Sequence, residues 1–298
     1  MTEIINVLRQ EIDFAMTFNN NGIDLTCEDG NVWDLLGIPI VNYLFDHPMY
    51  YFMELETAPS QMILTCVDQN HVRFVERFIP NVSQVYFVPL AGEMLDGDKI
   101  PWEDRSISVL YVGSLKTRGD EYRDPFFDYV VEFMKGHSYY ATEQAIERCF
   151  KECPEEVITA VLPQLAGVNR KNAPDDLIGL IIVRYRDVDT VVNAYYREKM
   201  LRTLLEAGID VEVYGDWGAS DLVNNPHGHF HGFITHMQCI EKMRNTKFVL
   251  NSMPWFKNGS HDRVYNAMLQ GAICITDHSD YIDGYLLEGV DCAYVDLD

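Results

Sequence analysis

The sequence predicts an α/β protein made of two units on mainly parallel sheets, the second interrupted by a helical block. Three observations lead there. Short apolar runs alternate with stretches of helical periodicity, several runs pass straight into glycine-containing turns, and the central region loses the strand pattern altogether. At 298 residues and 47% hydrophobic content, the chain has enough apolar surface to build a core in each of two ordinary domains.

Taken in order, residues 1–92 carry strand-like runs at Ile12 to Phe18, Ile38 to Phe45, Met62 to Val67 and Val85 to Val88, with a helix from His71 to Phe78 between the last two. Strands alternating with helices imply a parallel sheet. Three or four strands are few for such a domain, so it is either reduced or short of its opening strands. Residues 93–105, with Gly97, Pro101 and a run of acidic side chains, read as a linker. The second domain, 106–298, opens on the strand Ile107 to Val112 and turns helical over about 125–206, an insertion before its next strand. Strands resume at Val211 to Tyr214, then come a helix from Thr235 to Asn245, the strand Phe248 to Asn251, a helix after Ser260, and strands at Ala272 to Thr276 and Cys292 to Val295.

Composition narrows the function classes. The net charge of −23 repels nucleic acid and anionic membrane surfaces, so basic residues in loops stand out. The longest apolar run, near Leu177 to Val183, is too short to span a bilayer, and the N-terminus lacks the apolar core of a signal peptide. A cytoplasmic protein without a membrane span is expected. Seven cysteines without paired CxxC spacing predict reduced, buried thiols; Cys149 and Cys153 lie one helical turn apart, too few ligands for a metal site.

The most informative stretch is Asn258-Gly259-Ser260-His261-Asp262-Arg263-Val264-Tyr265-Asn266-Ala267-Met268-Leu269-Gln270-Gly271. It reads as strand, loop, helix, strand, with Ser260 as N-cap. The free amides of the first helical turn, with Arg263 beside them, suit an anion such as a diphosphate. A cation at a helix N-terminus opposes the dipole, which itself suggests that an anion is expected there. Two further turns fall at strand carboxyl ends, where open α/β sheets bind ligands. Gly113-Ser114-Leu115-Lys116 offers a close backbone approach and donors from Ser114 and Lys116. Gly215-Asp216-Trp217 offers an aromatic wall and a positioning carboxylate.

The 258–271 stretch, together with Ile38 to Pro48, Cys66-Val67-Asp68-Gln69-Asn70-His71 and Leu110 to Leu115, resembles the donor-binding and framework segments of glycosyltransferases of the GT-B type, with two Rossmann-like domains. The likeness is to a bacterial group related to the spore-maturation type and to group 1 (family 4-like) transferases. The resemblance implies transfer of a sugar from a nucleoside diphosphate sugar to an acceptor hydroxyl on a glycan, protein or small molecule. No other cofactor is expected, and no metal. It implies donor contacts at Gly113, Ser114, Lys116, Gly215, Asp216, Trp217, Asn258, Gly259, Ser260, His261, Arg263 and Asn266. It also implies helices beyond the last strand, so a truncated chain is one reading. Group 1 enzymes place two glutamates where this chain has Asn258 and Asn266, which leaves retention or inversion open and weakens donor contacts, since neutral hydrogen bonds contribute ~0.5–1.5 kcal/mol against ~1.5–3 for charged ones.

Asp46-His47-Pro48 ends a strand of the first domain, and His47 with Asp46 is a candidate general base for the acceptor hydroxyl; His71 and Asp68 are the alternatives. His227-Gly228-His229-Phe230-His231 reads as a loop and short strand rather than a metal cluster. Of the DxD triplets, Asp96-Gly97-Asp98, Asp187-Val188-Asp189 and Asp296-Leu297-Asp298, none falls beside the expected phosphates. Two other classes stay open: a catalytically silent nucleotide-sugar binder or partner subunit, and a sugar-nucleotide epimerase, for which no acid/base set is visible.

Overall fold

The computed structural model describes residues 11–116 and 123–298. Contacts divide the chain into two compact units: residues up to Pro89 together with Asp175–Val183, and Leu90–Pro174 together with Arg184–Asp298. The longer helices are α1 (Gln69–Phe78), α2 (Pro125–Met134), α3 (Thr142–Glu152), α4 (Asp175–Arg184), α5 (Val188–Glu206), α6 (His236–Arg244) and α7 (Asp262–Leu269).

The first unit is built on β1 (Ala15–Phe18), β2 (Ile40–Leu44), β3 (Met62–Cys66) and β4 (Gln84–Phe87), in spatial order β1-β2-β3-β4 and all parallel. The period of two decides which side is buried: Ile40, Asn42 and Leu44 point into the core, as do their neighbours Met62, Leu64 and Cys66. On the other side Phe18 stacks on Phe45 at 5.5 Å and meets Tyr43 edge-on, so exposed aromatic rings shield one another. Helix α1 starts where Asp68 caps it by accepting from the Asn70 amide at 2.7 Å, and it buries Phe74 and Val75.

One part of the helical block departs from the sequence expectation. It was assigned to the second domain over its whole length, but 175–183 belongs with the first unit. Two contacts explain this: Arg77 pairs with Asp175 at 2.6 Å, and Gly179, lacking a side chain, admits the Phe78 ring, which a Cβ would meet at 3.2 Å. The 93–105 segment is likewise no free linker. Arg105 donates to the carbonyls of Ile100, Thr246 and Gln270, and Asn266 and Gln270 hold the backbone of Glu93.

The second unit carries β5 (Ile107–Val112), β6 (Val211–Tyr214), β7 (Gly228–Phe230), β8 (Thr246–Leu250), β9 (Ile273–Thr276) and β10 (Cys292–Tyr294). Their order is β10-β9-β8-β5-β6-β7, with every neighbouring pair parallel. The chain thus starts in the middle at β5, runs outward through β6 and β7, then returns to the other side of β5 as β8. That is the strand order of a doubly wound Rossmann sheet, and its reversal lies between β5 and β8. Local chemistry sets the helix starts: Asp124 accepts from two amides ahead of Pro125 at α2, and Thr235 with Gln238 forms a capping box at α6. All seven cysteines are free thiols. Among the described residues no helix is long and apolar enough to cross a membrane.

Glu143 in the first turn of α3 is buried, and burial lifts its carboxyl from 4.5 to about 7. Its folded value lies above its unfolded one. Its contribution is therefore fully present below pH 4.5 and lost as pH rises through 7. Glu143→Gln should flatten the fall in stability between pH 5 and 8 and raise the unfolding free energy at pH 8 by up to about 3 kcal/mol, with a matching rise in the thermal midpoint. Unfolding scans of both proteins across that range check it; parallel profiles count against it.

Candidate functional site

The strand order reverses between β5 and β8, and open α/β sheets take ligands outside the strand carboxyl ends at such a reversal. The walls begin with a backbone lock. The Gly113 amide donates to Tyr214 O at 2.8 Å, Leu115 N to Asp216 O at 2.8 Å, and Asp216 N to Ser114 Oγ at 3.0 Å. Gly215, at φ +131°, lies flat against Gly113: an added Cβ would fall 2.6 Å from Gly113 C and 2.9 Å from Ser114 N. The indole of Trp217 is buried and donates to Gly113 O at 2.8 Å. Ser114, expected as a phosphate donor, is thus drawn into holding the next turn. Asp216 is exposed and accepts from Gly218 N at 3.1 Å. Lys116 is exposed, with no hydrogen bond or ion pair among the described residues. Trp217, Gly215, Asp216, Phe230, Gly232 and Phe233 line an open cavity of about 410 Å³.

The β8–α7 connection contributes the charge. Helix α7 begins at Asp262, and the N-cap is His261 rather than Ser260. Ser260 is fully buried and its hydroxyl donates to His261 O at 3.3 Å; Gly259 O accepts from Ser279 Oγ at 2.6 Å. Lys257 is drawn into a buried pair with Asp277 at 3.1 Å, and Asn258 is half-buried. His261 Nδ1 lies 3.1 Å from Arg263 N and 2.5 Å from Asp262 Oδ1. One nitrogen cannot accept from the amide and donate to the carboxylate at once, and the shorter contact is the hydrogen bond donated to Asp262. Burial, then the Arg263 charge, lowers the His261 pKa, so the ring is neutral near pH 7. Burial pushes the Asp262 carboxyl up, but His261, Arg263 and His236 outweigh it and hold it at about 2.

Arg263 is 7% exposed and turns inward from the helix start. It donates to Asn251 Oδ1 at 2.8 Å and lies over the Tyr111 ring at 5.6 Å, so its charge sits under the ends of β5 and β8. A second arginine, Arg197 of α5, is 9% exposed, donates to Ser114 O at 2.6 Å and lies over Trp255 at 5.3 Å. Burial lowers its pKa, with Tyr111 and Asp189 opposing and Arg263 adding to the fall, yet a guanidinium stays protonated. Among the described residues neither guanidinium is paired with a carboxylate. Arg197, Tyr111, Asn251 and Ser252 were not singled out from the sequence. Asn251 and Tyr111 could have been, as polar groups closing apolar strands; Arg197 is one basic residue on a long helix, without a local signal.

Other expected residues go elsewhere. Asn266 accepts from Glu93 N at 2.7 Å and donates to Asp262 Oδ2 at 3.2 Å, so its amide is committed within the fold rather than presented to a ribose. His47 caps the turn after β2, Nδ1 accepting from Met49 N at 3.0 Å, and its ring packs on His71 at 4.3 Å and Phe74 at 4.9 Å inside the first unit. Burial brings its pKa down to about 3, and burial followed by His47 also lowers His71. Asp46 is exposed and accepts from Asn19 at 3.0 Å and Tyr51 at 3.2 Å. The histidine-rich loop resolves into pairs, His227 with Asp210 at 2.8 Å and His231 with Glu212. No cluster of three or more metal-ligating side chains occurs among the described residues.

No protein-family model matches the chain, and no curated protein matches it. Among solved structures it is similar to a chain of the "Crystal structure of GtfA/B complex", with a TM-score of 0.41 and 11% identity, over 99% of this chain and 48% of that one. The chain thus spans about half the length of that neighbour, and a likeness this distant carries no argument about activity.

Gly215→Ala should destabilise the second unit by at least ~2 kcal/mol, because the added methyl meets backbone at a left-handed φ. Denaturant unfolding measures it, and a loss below ~0.5 kcal/mol would show that the two turns can separate freely.

Proposed function

We propose that the second unit binds a nucleoside diphosphate sugar and that the protein is a glycosyltransferase of the two-unit GT-B type. In this reading the sugar passes to an acceptor hydroxyl, and protein charge rather than a divalent ion neutralises the leaving diphosphate. The observation that carries it is Arg263: a buried guanidinium at the strand-order reversal, held by a neutral amide and an aromatic ring, with no direct ion pair to a carboxylate among the described residues. Asp262 supplies part of the counter-charge without pairing directly, and a bound anion would supply the rest. Charge developing on the departing diphosphate is stabilised by donors already in place, so little reorganisation accompanies the bond breaking. The open cavity beside Trp217 adds apolar surface for a base. His47 does not enter the proposed chemistry, since burial makes it a weak base.

Binding without turnover is the second reading. It is favoured by Asn258 and Asn266, amides where the resembling enzymes use carboxylates, and by the commitment of Asn266 to Glu93 and Asp262. Release of nucleoside diphosphate from a donor panel, with and without acceptors, separates the two.

Arg263→Met should weaken uridine, guanosine or thymidine diphosphate binding by ~1.5–3 kcal/mol, the range for hydrogen bonds to charged groups, in protein whose thermal unfolding shows it to be folded. Titration calorimetry reads this, and undiminished affinity would place the phosphates elsewhere. Turnover should persist in excess chelator; activity abolished by chelation and restored by magnesium or manganese would reassign diphosphate neutralisation to a metal.

A further inference from the structure

We propose that Arg197, Tyr111 and Ser252 form a second oxyanion subsite beside Arg263, so that the crevice takes two linked phosphoryl groups and selects a diphosphate over a single phosphate. The inference rests on the phosphate-binding reading above and adds which residues hold the second group.

Three buried polar atoms at this place lack any hydrogen-bond partner: Tyr111 Oη, Ser252 Oγ and Arg197 Nε. Tyr111 and Ser252 have no exposed surface, and Arg197 is more than nine-tenths buried. Such atoms are rare in native proteins, because each has given up water without replacement. Their placement is shared. Leu250 pairs with Tyr111 across β8 and β5, so Ser252 and Gly113 lie at the same level beyond the two strand ends. The Tyr111 hydroxyl reaches that level too: a Cβ on Gly113 would stand only 3.2 Å from it, so the glycine lets the hydroxyl approach the turn closely. The ring cannot swing away, held edge-on by Trp217 at 5.7 Å and covered by Arg263.

The chemistry of the set defines its ligand. Arg197 Nε can only donate, and the two hydroxyls can donate; with two guanidiniums that make no direct ion pair, the complement is an acceptor-rich anion. Arg263 is fixed to the end of β8 through Asn251, whereas Arg197 is fixed to the turn after β5 through Ser114 O. Held at separate points, they present their remaining donors to different oxygens. Two phosphoryl groups joined by a bridging oxygen supply two such sets.

Titration of the full chain with inorganic pyrophosphate and inorganic phosphate, and with uridine diphosphate and monophosphate, tests this. Tyr111→Phe removes one unpartnered hydroxyl and keeps the ring, so thermal stability should hold or rise. Pyrophosphate and diphosphate affinity should drop ~10-fold or more, with the single-phosphate probes changed by less than ~3-fold. Arg197→Gln, which keeps a donor for Ser114 O, should show the same selective loss, and Ser252→Ala a smaller one. Equal losses for both probe classes, or Tyr111→Phe binding pyrophosphate as the parent does, would overturn the second subsite. If the parent binds none of the probes, the phosphate reading itself falls. If Arg263→Met alone loses binding, only the second subsite does.

Discussion

The contact of Gly215 with Gly113 is the constraint on which the rest of the crevice depends. Two parallel strands end side by side, and their following turns touch backbone to backbone because neither carries a Cβ. That closeness lets Trp217 reach the carbonyl of Gly113, and the fixed indole then meets the edge of Tyr111. Tyr111 in turn gives Arg263 a face to lie on, and the carbonyl of Ser114 gives Arg197 its anchor. Each step uses the geometry of the one before. A small displacement at the two glycines would be felt at both guanidiniums, since close-packed interiors transmit strain rather than absorb it.

Charge makes the same point on a different scale. A chain with a net charge of −23 has carboxylates to spare, and exposed arginines elsewhere find them: Arg77 with Asp175, Arg148 with Glu152, Arg202 with Glu198 and Asp221. Arg197 and Arg263, the two at the strand reversal, are held by a carbonyl, an amide and aromatic faces instead. Neutral acceptors and rings fix each guanidinium in place without a direct ion pair, leaving only the indirect pull of Asp189 on Arg197 and of Asp262 on Arg263. Structural arginines gain most from carboxylates; a site awaiting an anion gains most from their exclusion.

Much of this fold was legible because strands and helices announce themselves locally. Apolar runs ending in Gly113 and Gly215 placed β5 and β6, and the Val211 to Tyr214 run matches its strand residue for residue. The start of α7 was missed by a residue because Ser260 and His261 can both cap a helix, and only the buried hydrogen bond of Ser260 decides between them. Long-range contacts were out of reach. Nothing near Arg197 indicates that it meets a carbonyl at residue 114, and nothing near Asn266 indicates that Glu93 needs its amide. The surroundings of His47 were hidden for the same reason: a strand-end histidine gives no local sign that Phe74 and His71 pack around its ring.

The amide at Asn266 follows from the charge pattern at the start of α7. Asp262 is ionised and stands one residue from Arg263, the carboxylate best placed to neutralise it. It attracts Arg263 without pairing with it directly, because both its oxygens are engaged: Oδ1 by His261 at 2.5 Å and Oδ2 by the Asn266 side chain at 3.2 Å. Glutamate at 266 could not donate to Asp262 and would repel it, freeing that carboxylate to turn toward Arg263. An amide donates to Asp262 with one end and accepts from Glu93 N with the other, which a carboxylate cannot do. The amide thus has a local cause: with Asp262 ionised beside Arg263, position 266 calls for a donor, and an amide there keeps the carboxylate from pairing directly with the arginine.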